Sequence, residues 1–228
     1  MVLSLNRSAV VALRVSFLWA ATCCLTMPVC VSADVVCPDS SYVTVTFTRT
    51  YTGEWMTGQP YDYVTIAPNG AESFADMGIE IDVYVRDCQG EPIVGLPAEA
   101  ITITSNSLCL CVGGNFADGS TDSQGRTTFR GKLKGGGFAT TLDVECDGVA
   151  IGALVDEHGT TVKVNSPVIY TYGCHVDAGD LAAFSAHFGE VGSYTIALDL
   201  NETGPPTIDA SDLAYFARVY RQDCDEAP

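Results

Sequence analysis

Near the end of the chain, side chains carrying oxygen recur at alternating positions. Asp199, Asn201 and Thr203 precede Gly204, and Thr207, Asp209 and Asp212 follow it. A loop that wraps a calcium ion needs this pattern: hard oxygen ligands at alternate places, a tight turn at the sixth, and a carboxylate at the twelfth on the first turn of the exiting helix. With Pro205 and Pro206 set aside as an insertion, Asp199, Asn201 and Thr203 take the first, third and fifth places and Gly204 the sixth. The Thr207 carbonyl then takes the seventh, Ile208 is the apolar eighth, Asp209 the ninth and Asp212 the twelfth. The predicted chemistry is Ca2+ binding by an all-oxygen set. A second reading stays open, in which Asp209 caps a helix and Asp212 sits in its first turn.

The loop belongs to a repeat. Val176-Asp177-Ala178-Gly179-Asp180-Leu181-Ala182-Ala183-Phe184 aligns with Ile208-Asp209-Ala210-Ser211-Asp212-Leu213-Ala214-Tyr215-Phe216 at a constant offset of 32. Asp, Ala, Asp, Leu, Ala and Phe are shared. A helical pattern follows each match, with Leu181, Phe184 and Phe188 on one face and Leu213, Phe216 and Tyr220 on the other copy's face. Gly189 is the expected stop of the first helix. Neither helix is long enough to stand alone, so the two faces are expected to pack into a small core. The first repeat keeps Asp177 and Asp180 but has Ile169, Thr171 and Gly173 at the early ligand places. It reads as a capped helix without metal.

These features resemble the dockerin family, whose repeats combine an aspartate- and asparagine-rich calcium loop with an Asp-Leu helix start. The resemblance implies an extracellular calcium-dependent module that binds a cohesin-like partner, with Ala178-Gly179 and Ala210-Ser211 beside the partner surface. The two-proline insertion and Thr203 in place of an acid depart from the family pattern.

The elements that position this module come earlier. Residues 1–33 read as a signal peptide: Arg7 and Arg14, an apolar run from Val15 to Val31, then Val31-Ser32-Ala33 at the cleavage site. The expected location is secreted, extracellular or periplasmic, with no membrane attachment after cleavage. Removing two of the 11 basic residues leaves 9 against 28 acids, so the net charge moves from -17 to -19. Such a surface repels nucleic acid and anionic lipid.

Of the ten cysteines, Cys23, Cys24 and Cys30 fall in the leader, which leaves seven. An odd count leaves at least one thiol outside intrachain pairing. Cys174 and Cys224 bracket the C-terminal module and are the expected disulfide. Cys109 and Cys111 share a face if they lie on a strand, and one of them has Cys146 as a candidate partner. With no histidine nearby, Cys-x-Cys is a poor zinc site.

Between Tyr42 and about Val168 the pattern is that of strands. Tyr42–Thr48, Ile79–Val85, Ile101–Thr104, Leu108–Val112, Arg126–Phe129, Thr140–Cys146 and Thr160–Val164 are β-branched, aromatic or alternating. Turn residues separate them at Pro68-Asn69-Gly70, Gln89-Gly90, Gly113-Gly114-Asn115, Gly135-Gly136-Gly137 and Asp147-Gly148. Strands at this spacing predict a Greek-key sandwich. The runs Ile81–Gly95 and Gly119–Thr127 resemble bacterial Ig-like domains of the invasin/intimin type over about residues 78–155, which makes Asp87 and Asp122 turn residues and implies display or adhesion.

The expected fold is thus mainly β: a signal peptide over 1–33, an Ig-like Greek-key sandwich over 34–166, and a small all-α dockerin-like pair over 167–228. The expected function is non-catalytic binding and assembly, because no nucleophile, zinc-protease or phosphate-loop motif is present and His158 sits in a turn-like Asp156-Glu157-His158-Gly159. The alternative is polysaccharide binding or adhesion, for which Tyr51, Trp55, Tyr61 and Tyr63 are candidate stacking residues, against a reading in which they fill the core.

Overall fold

The computed structural model describes residues 35–50, 58–169, 174–191, 200 and 207–224. The expected signal peptide, Tyr51, Trp55, Asp199, Asn201 and Thr203 lie outside them. Val36–Pro228 forms one compact unit.

The fold is mainly β. The strands are β1 (Tyr42–Phe47), β2 (Tyr63–Thr65), β3 (Ile79–Tyr84), β4 (Ile101–Thr104), β5 (Leu108–Leu110), β6 (Arg126–Phe129), β7 (Gly135–Gly137), β8 (Asp143–Cys146), β9 (Val149–Ala153) and β10 (Lys163–Asn165). Two α-helices follow, α1 (Ala178–Ala186) and α2 (Ala210–Val219). The strands form small sheets ordered β1-β3-β6, β4-β8-β9, β5-β7 and β10-β2. All these pairings are antiparallel except β10 with β2, which is parallel.

Alternation decides which side chains go inside. On β3, Ile79, Ile81 and Val83 are buried while Glu80 is exposed. Ile101 and Ile103 of β4, Phe129 of β6 and Val144 and Cys146 of β8 enter the same core. At roughly 1.5–3 kcal/mol for each large apolar side chain, this shared core is what holds the small sheets together. The turns follow the expected chemistry. Asp87 Oδ1 accepts from the backbone N–H groups of Gln89 and Glu91, and Asp122 Oδ1 from those of Gln124 and Arg126.

The glycine run expected to be a turn is strand β7, paired with β5. Bare backbone is needed there because a Cβ on Gly135 would strike the Cys109 carbonyl oxygen, and one on Gly136 the Val168 side chain. The 149–153 strand was likewise not apparent from the sequence, because its Val-Ala-Ile-Gly-Ala run carries no polar alternation. Tyr61 and Tyr63 are buried in the fold, which agrees with the core-filling reading and removes them as stacking residues for a sugar.

The expected Cys174–Cys224 disulfide is not formed. The bonds are Cys37–Cys88, Cys109–Cys174 and Cys111–Cys224. An antiparallel bridge between His175 and Asp223 does set Cys174 and Cys224 side by side, as their bracketing positions suggested. Both then face the Cys109-x-Cys111 stretch, and each bonds across to it, at Cα separations of 5.5 and 5.2 Å. Cys146, proposed as a partner for that stretch, is instead a buried free thiol in β8. Burial pushes it up to about 11, so it stays protonated and inert at neutral pH.

The Cys109–Cys174 bond closes a span of 65 residues. Replacing both cysteines by serine is expected to cost about 4 kcal/mol in chain-entropy terms, read as a loss of unfolding free energy in guanidinium. Peptide mapping without reduction should recover 109 linked to 174 and 111 linked to 224; a recovered 174–224 peptide would refute the pairing.

Candidate functional site

The two helix starts are built alike. Asp177 and Asp209 are N-caps with extended backbones, φ -126 and -127°. Asp177 Oδ1 accepts from the N–H groups of Gly179 and Asp180 at 2.6 and 3.2 Å. Asp209 Oδ1 accepts from Ser211 N at 2.7 Å and from the Ser211 hydroxyl. Three residues on, Asp180 Oδ2 and Asp212 Oδ2 return the bond to the cap residue's own N–H, at 2.9 and 2.8 Å. These reciprocal boxes satisfy donors that a helix otherwise leaves orphaned.

The second carboxylate of each pair does more. Asp180 is 1% exposed and Asp212 0%. Asp180 Oδ1 accepts from Ile169 N at 2.7 Å, and Asp212 Oδ1 from Leu200 N at 2.7 Å. Each buried carboxylate therefore ties its helix start to the chain that leads into the loop. Ile169 and Leu200 hold equivalent places, eleven and twelve residues before their aspartates. The second loop is one residue longer between these anchors, and its anchor is Leu200, the residue after the expected first ligand Asp199.

The pairing between repeats is also symmetric. Val176 N donates to Gln222 O and receives Arg221 N on its own carbonyl; Ile208 N donates to Glu190 O and receives Gly189 N. Residues 221 and 222 stand 32 after 189 and 190, so the lead of each helix pairs with the exit of the other. Val176 and Ile208, the apolar eighth places, are 1% and 0% exposed. Phe184 and Phe216 meet between the helices with ring centroids 5.4 Å apart.

The predicted apolar faces are only partly right. On α2 the buried positions are Asp212, Tyr215, Phe216 and Val219, one step round from Leu213, Phe216 and Tyr220. Leu213 and Phe188 are 40% and 50% exposed. The face turns because α2 packs against more than α1: Ala67, Ala71 and Val168 join the helices in one cluster. A polar connection runs alongside. The Thr65 hydroxyl donates to Asn165 Oδ1 at 2.7 Å with the Leu200 carbonyl 3.2 Å away, and Thr65 N donates to Glu72 Oε2. Burial pushes Glu72 above the usual carboxylate range.

The two repeats differ in what stands beside the cap carboxylate. His175 Nε2 lies 3.3 Å from Asp177 Oδ2. The matching place in the second repeat is Thr207, so Asp209 has no imidazole at that place. Of the expected ligands, Thr207, Asp209 and Asp212 are brought together at the start of α2, where the two aspartates serve as caps. Among the described residues no group of three or more His, Cys, Asp or Glu side chains is placed to hold a metal ion; the remaining expected ligands lie outside those residues. His158 lies in a turn, its N–H donated to Asp156 Oδ1, with its side chain 77% exposed. No helix among the described residues is long and apolar enough to cross a membrane.

Position 189 is a glycine at φ 85°, and its counterpart Arg221 adopts φ 68°. A side chain in that region is strained. Arg221→Gly is expected to raise stability by about 0.5–1 kcal/mol, measured by thermal unfolding; an unchanged or lower midpoint would show that the Arg221 contact with the Tyr220 ring outweighs the strain.

Backbone N–H donors from Gly179 and Asp180 hold Asp177 below the usual carboxylate range, and the Ser211 hydroxyl and N–H do the same for Asp209. A depressed folded-state pKa gives stability that is present above the ordinary aspartate value, about 3.9, and is lost as pH falls through the lower folded values. The double substitution Asp177→Asn and Asp209→Asn is expected to flatten the acid limb of a midpoint-against-pH curve below pH ~4. An unaltered limb would place the acid sensitivity elsewhere.

No known family model, no curated protein and no solved structure matches this chain.

Proposed function

We propose that this chain is an exported, non-catalytic binding and assembly protein: an Ig-like sandwich carrying a dockerin-like pair of loop-helix repeats, with one calcium ion in the second loop. The observation that carries the reading is the duplicated helix start, in which Asp180 and Asp212 make the same bonds and the lead of each helix pairs with the exit of the other. A duplicated, self-pairing loop-helix unit is how small calcium modules gather ligands without a large core.

The difference between the repeats supports metal in the second alone. Repeat one sets His175 beside its exposed cap carboxylate and has Val168, one residue before its anchor, where repeat two has Asp199. Repeat two brings Asp199 and Asn201 in sequence and has Thr207 where the histidine stands. A divalent cation supplies a partner for the second cap carboxylate at the place where the first has an imidazole. In this reading Asp199, Asn201, Thr203, the Thr207 carbonyl, Asp209 and Asp212 hold the ion, and the ion pins the loop to α2. A cohesin-like domain is the partner, docking over the helix starts at Ala178-Gly179 and Ala210-Ser211. The three disulfides fit an oxidising, extracellular setting.

The test is calorimetric titration of Ca2+ into the full mature chain, with its disulfides intact because two of them join the C-terminal segment to residues 109 and 111. One site is expected, with a rise in the unfolding midpoint as calcium is added. Asp199→Ala removes both effects and Asp177→Ala removes neither. No heat and no midpoint change at millimolar calcium would refute the calcium reading.

A further inference from the structure

Basic residues are scarce in this chain, 11 against 28 acids, and most of those described are engaged. Arg126 sits on Asp82 at 2.7 Å and Lys163 on Asp62 at 2.7 Å. Arg49, Arg218 and Arg221 lie over tyrosine rings, and Arg86 donates to the Gly90 carbonyl. Arg130 and Lys134 have no side-chain bond among the described residues, and Lys132 Nζ reaches only the Gly70 carbonyl, at 3.4 Å. Arg130 follows β6 just ahead of a bend at Gly131, and Lys132 and Lys134 flank the buried Leu133 on the extended stretch beyond it. Alternate residues of an extended chain share a face at a spacing of about 6.6 Å. Arg130 and Lys132 are exposed and Lys134 is half-buried. Among the described residues no ion pair reaches any of the three.

An acidic protein that leaves three neighbouring cations without carboxylates has carboxylates close by that are committed elsewhere. Asp118 accepts from Arg130 N, Gly131 N and the Thr128 hydroxyl, which aims both its oxygens at the main chain and a hydroxyl, although its charge remains beside the face. Asp76 accepts from the Ser73 hydroxyl, while the Arg49 guanidinium donates to the Asp76 carbonyl. The lysine stems are held in place. A Cβ on Gly70 would meet the Lys132 stem at 2.9 Å, and one on Gly114 would run into that of Lys134. Two bare backbones thus seat the stems, which leaves less rotamer entropy to lose on binding.

We propose that the face of Arg130, Lys132 and Lys134 binds an anionic polysaccharide. This site is separate from the calcium loop and does not depend on it. The main chain of the run is already used. Phe74 N and Ala75 N donate to Gly131 O and Arg130 O, Lys134 N donates to Gly114 O, and Lys134 O accepts from Cys111 N. A peptide cannot add here as a strand, so recognition goes through side-chain charges alone. A planar guanidinium suits the paired oxygens of a uronate carboxylate or a sulfate. The chain's net charge of -17 opposes any polyanion at long range, so the three cations must act at contact distance.

The experiment measures binding of the full mature chain to polygalacturonate, dextran sulfate, neutral dextran and poly-L-glutamate at low and high NaCl. Binding to polygalacturonate or dextran sulfate, weakening as salt rises, is expected. Which of the two binds identifies carboxylate or sulfate as the charge read. Arg130→Gln/Lys132→Gln/Lys134→Gln keeps stem length, is checked for an unaltered melt, and is expected to weaken binding by about tenfold or more. Arg218→Gln on α2 leaves it within about twofold. If the triple variant melts early, Lys132→Gln alone must still weaken binding. Binding to neither anionic polysaccharide, equal binding to neutral dextran, tighter binding to poly-L-glutamate, or undiminished binding by a folded variant overturns the proposal.

Discussion

The two-helix C-terminal segment of this molecule hangs on two carboxylates that almost no water reaches. Asp180 and Asp212 are each held between an N–H at the start of their helix and an N–H from the segment eleven or twelve residues earlier. A buried carboxylate left without partners is costly, and here both oxygens of each accept from main-chain N–H groups. These bonds convert a short helix, too short to persist in isolation, into the closing element of a loop. They also make each helix start depend on the chain that leads into its loop. The donor that satisfies the carboxylate belongs to the loop lead, and the acceptor that satisfies the lead belongs to the helix.

This constraint propagates into the β part. Leu200, which donates to Asp212, places its carbonyl near the Thr65 hydroxyl, and Thr65 bonds Asn165 across the parallel pair of β2 and β10. Val168 and Ala67 carry the same connection in apolar form. Two disulfides repeat it covalently, from 109 to 174 and from 111 to 224. The helices are thus fastened to the strands by three kinds of interaction at neighbouring places. The small apolar core between them is completed by strand-side residues, without which Tyr215 would stand in water.

What the sequence disclosed follows from which signals are local. The strands on which one face is buried and the other wet announced themselves by alternation, as on β3. The repeat was legible because a helix start needs the same residues wherever it occurs: an aspartate cap and an aspartate three residues later. The glycine strand β7 was hidden because glycine marks both turns and close backbone approaches, and only the neighbours at Cys109 and Val168 tell them apart. The disulfide partners were hidden because bracketing positions reveal that Cys174 and Cys224 are near each other and nothing about a third strand beside them. The rotation of the α2 face was hidden for the same reason. Periodicity identifies an apolar stripe, while the surfaces it meets decide which edge of the stripe is buried.

The exits of the two helices show how a repeat can keep its geometry after its residues have diverged. Gly189-Glu190 and Arg221-Gln222 share no residue type, yet their N–H and C=O groups make the same bonds to Ile208 and Val176. The left-handed turn at the first of each pair is what aims those groups. Glycine enters that region without strain, and arginine enters it only because the bonds on either side hold it there. The strain at Arg221 therefore measures how strongly the lead-to-exit pairing is enforced. The pairing in turn depends on Val176 and Ile208 staying inside the core. A repeat whose symmetry lives in main-chain bonds and two buried carboxylates tolerates wide change at its surface, and the surface is where a partner would have to be read.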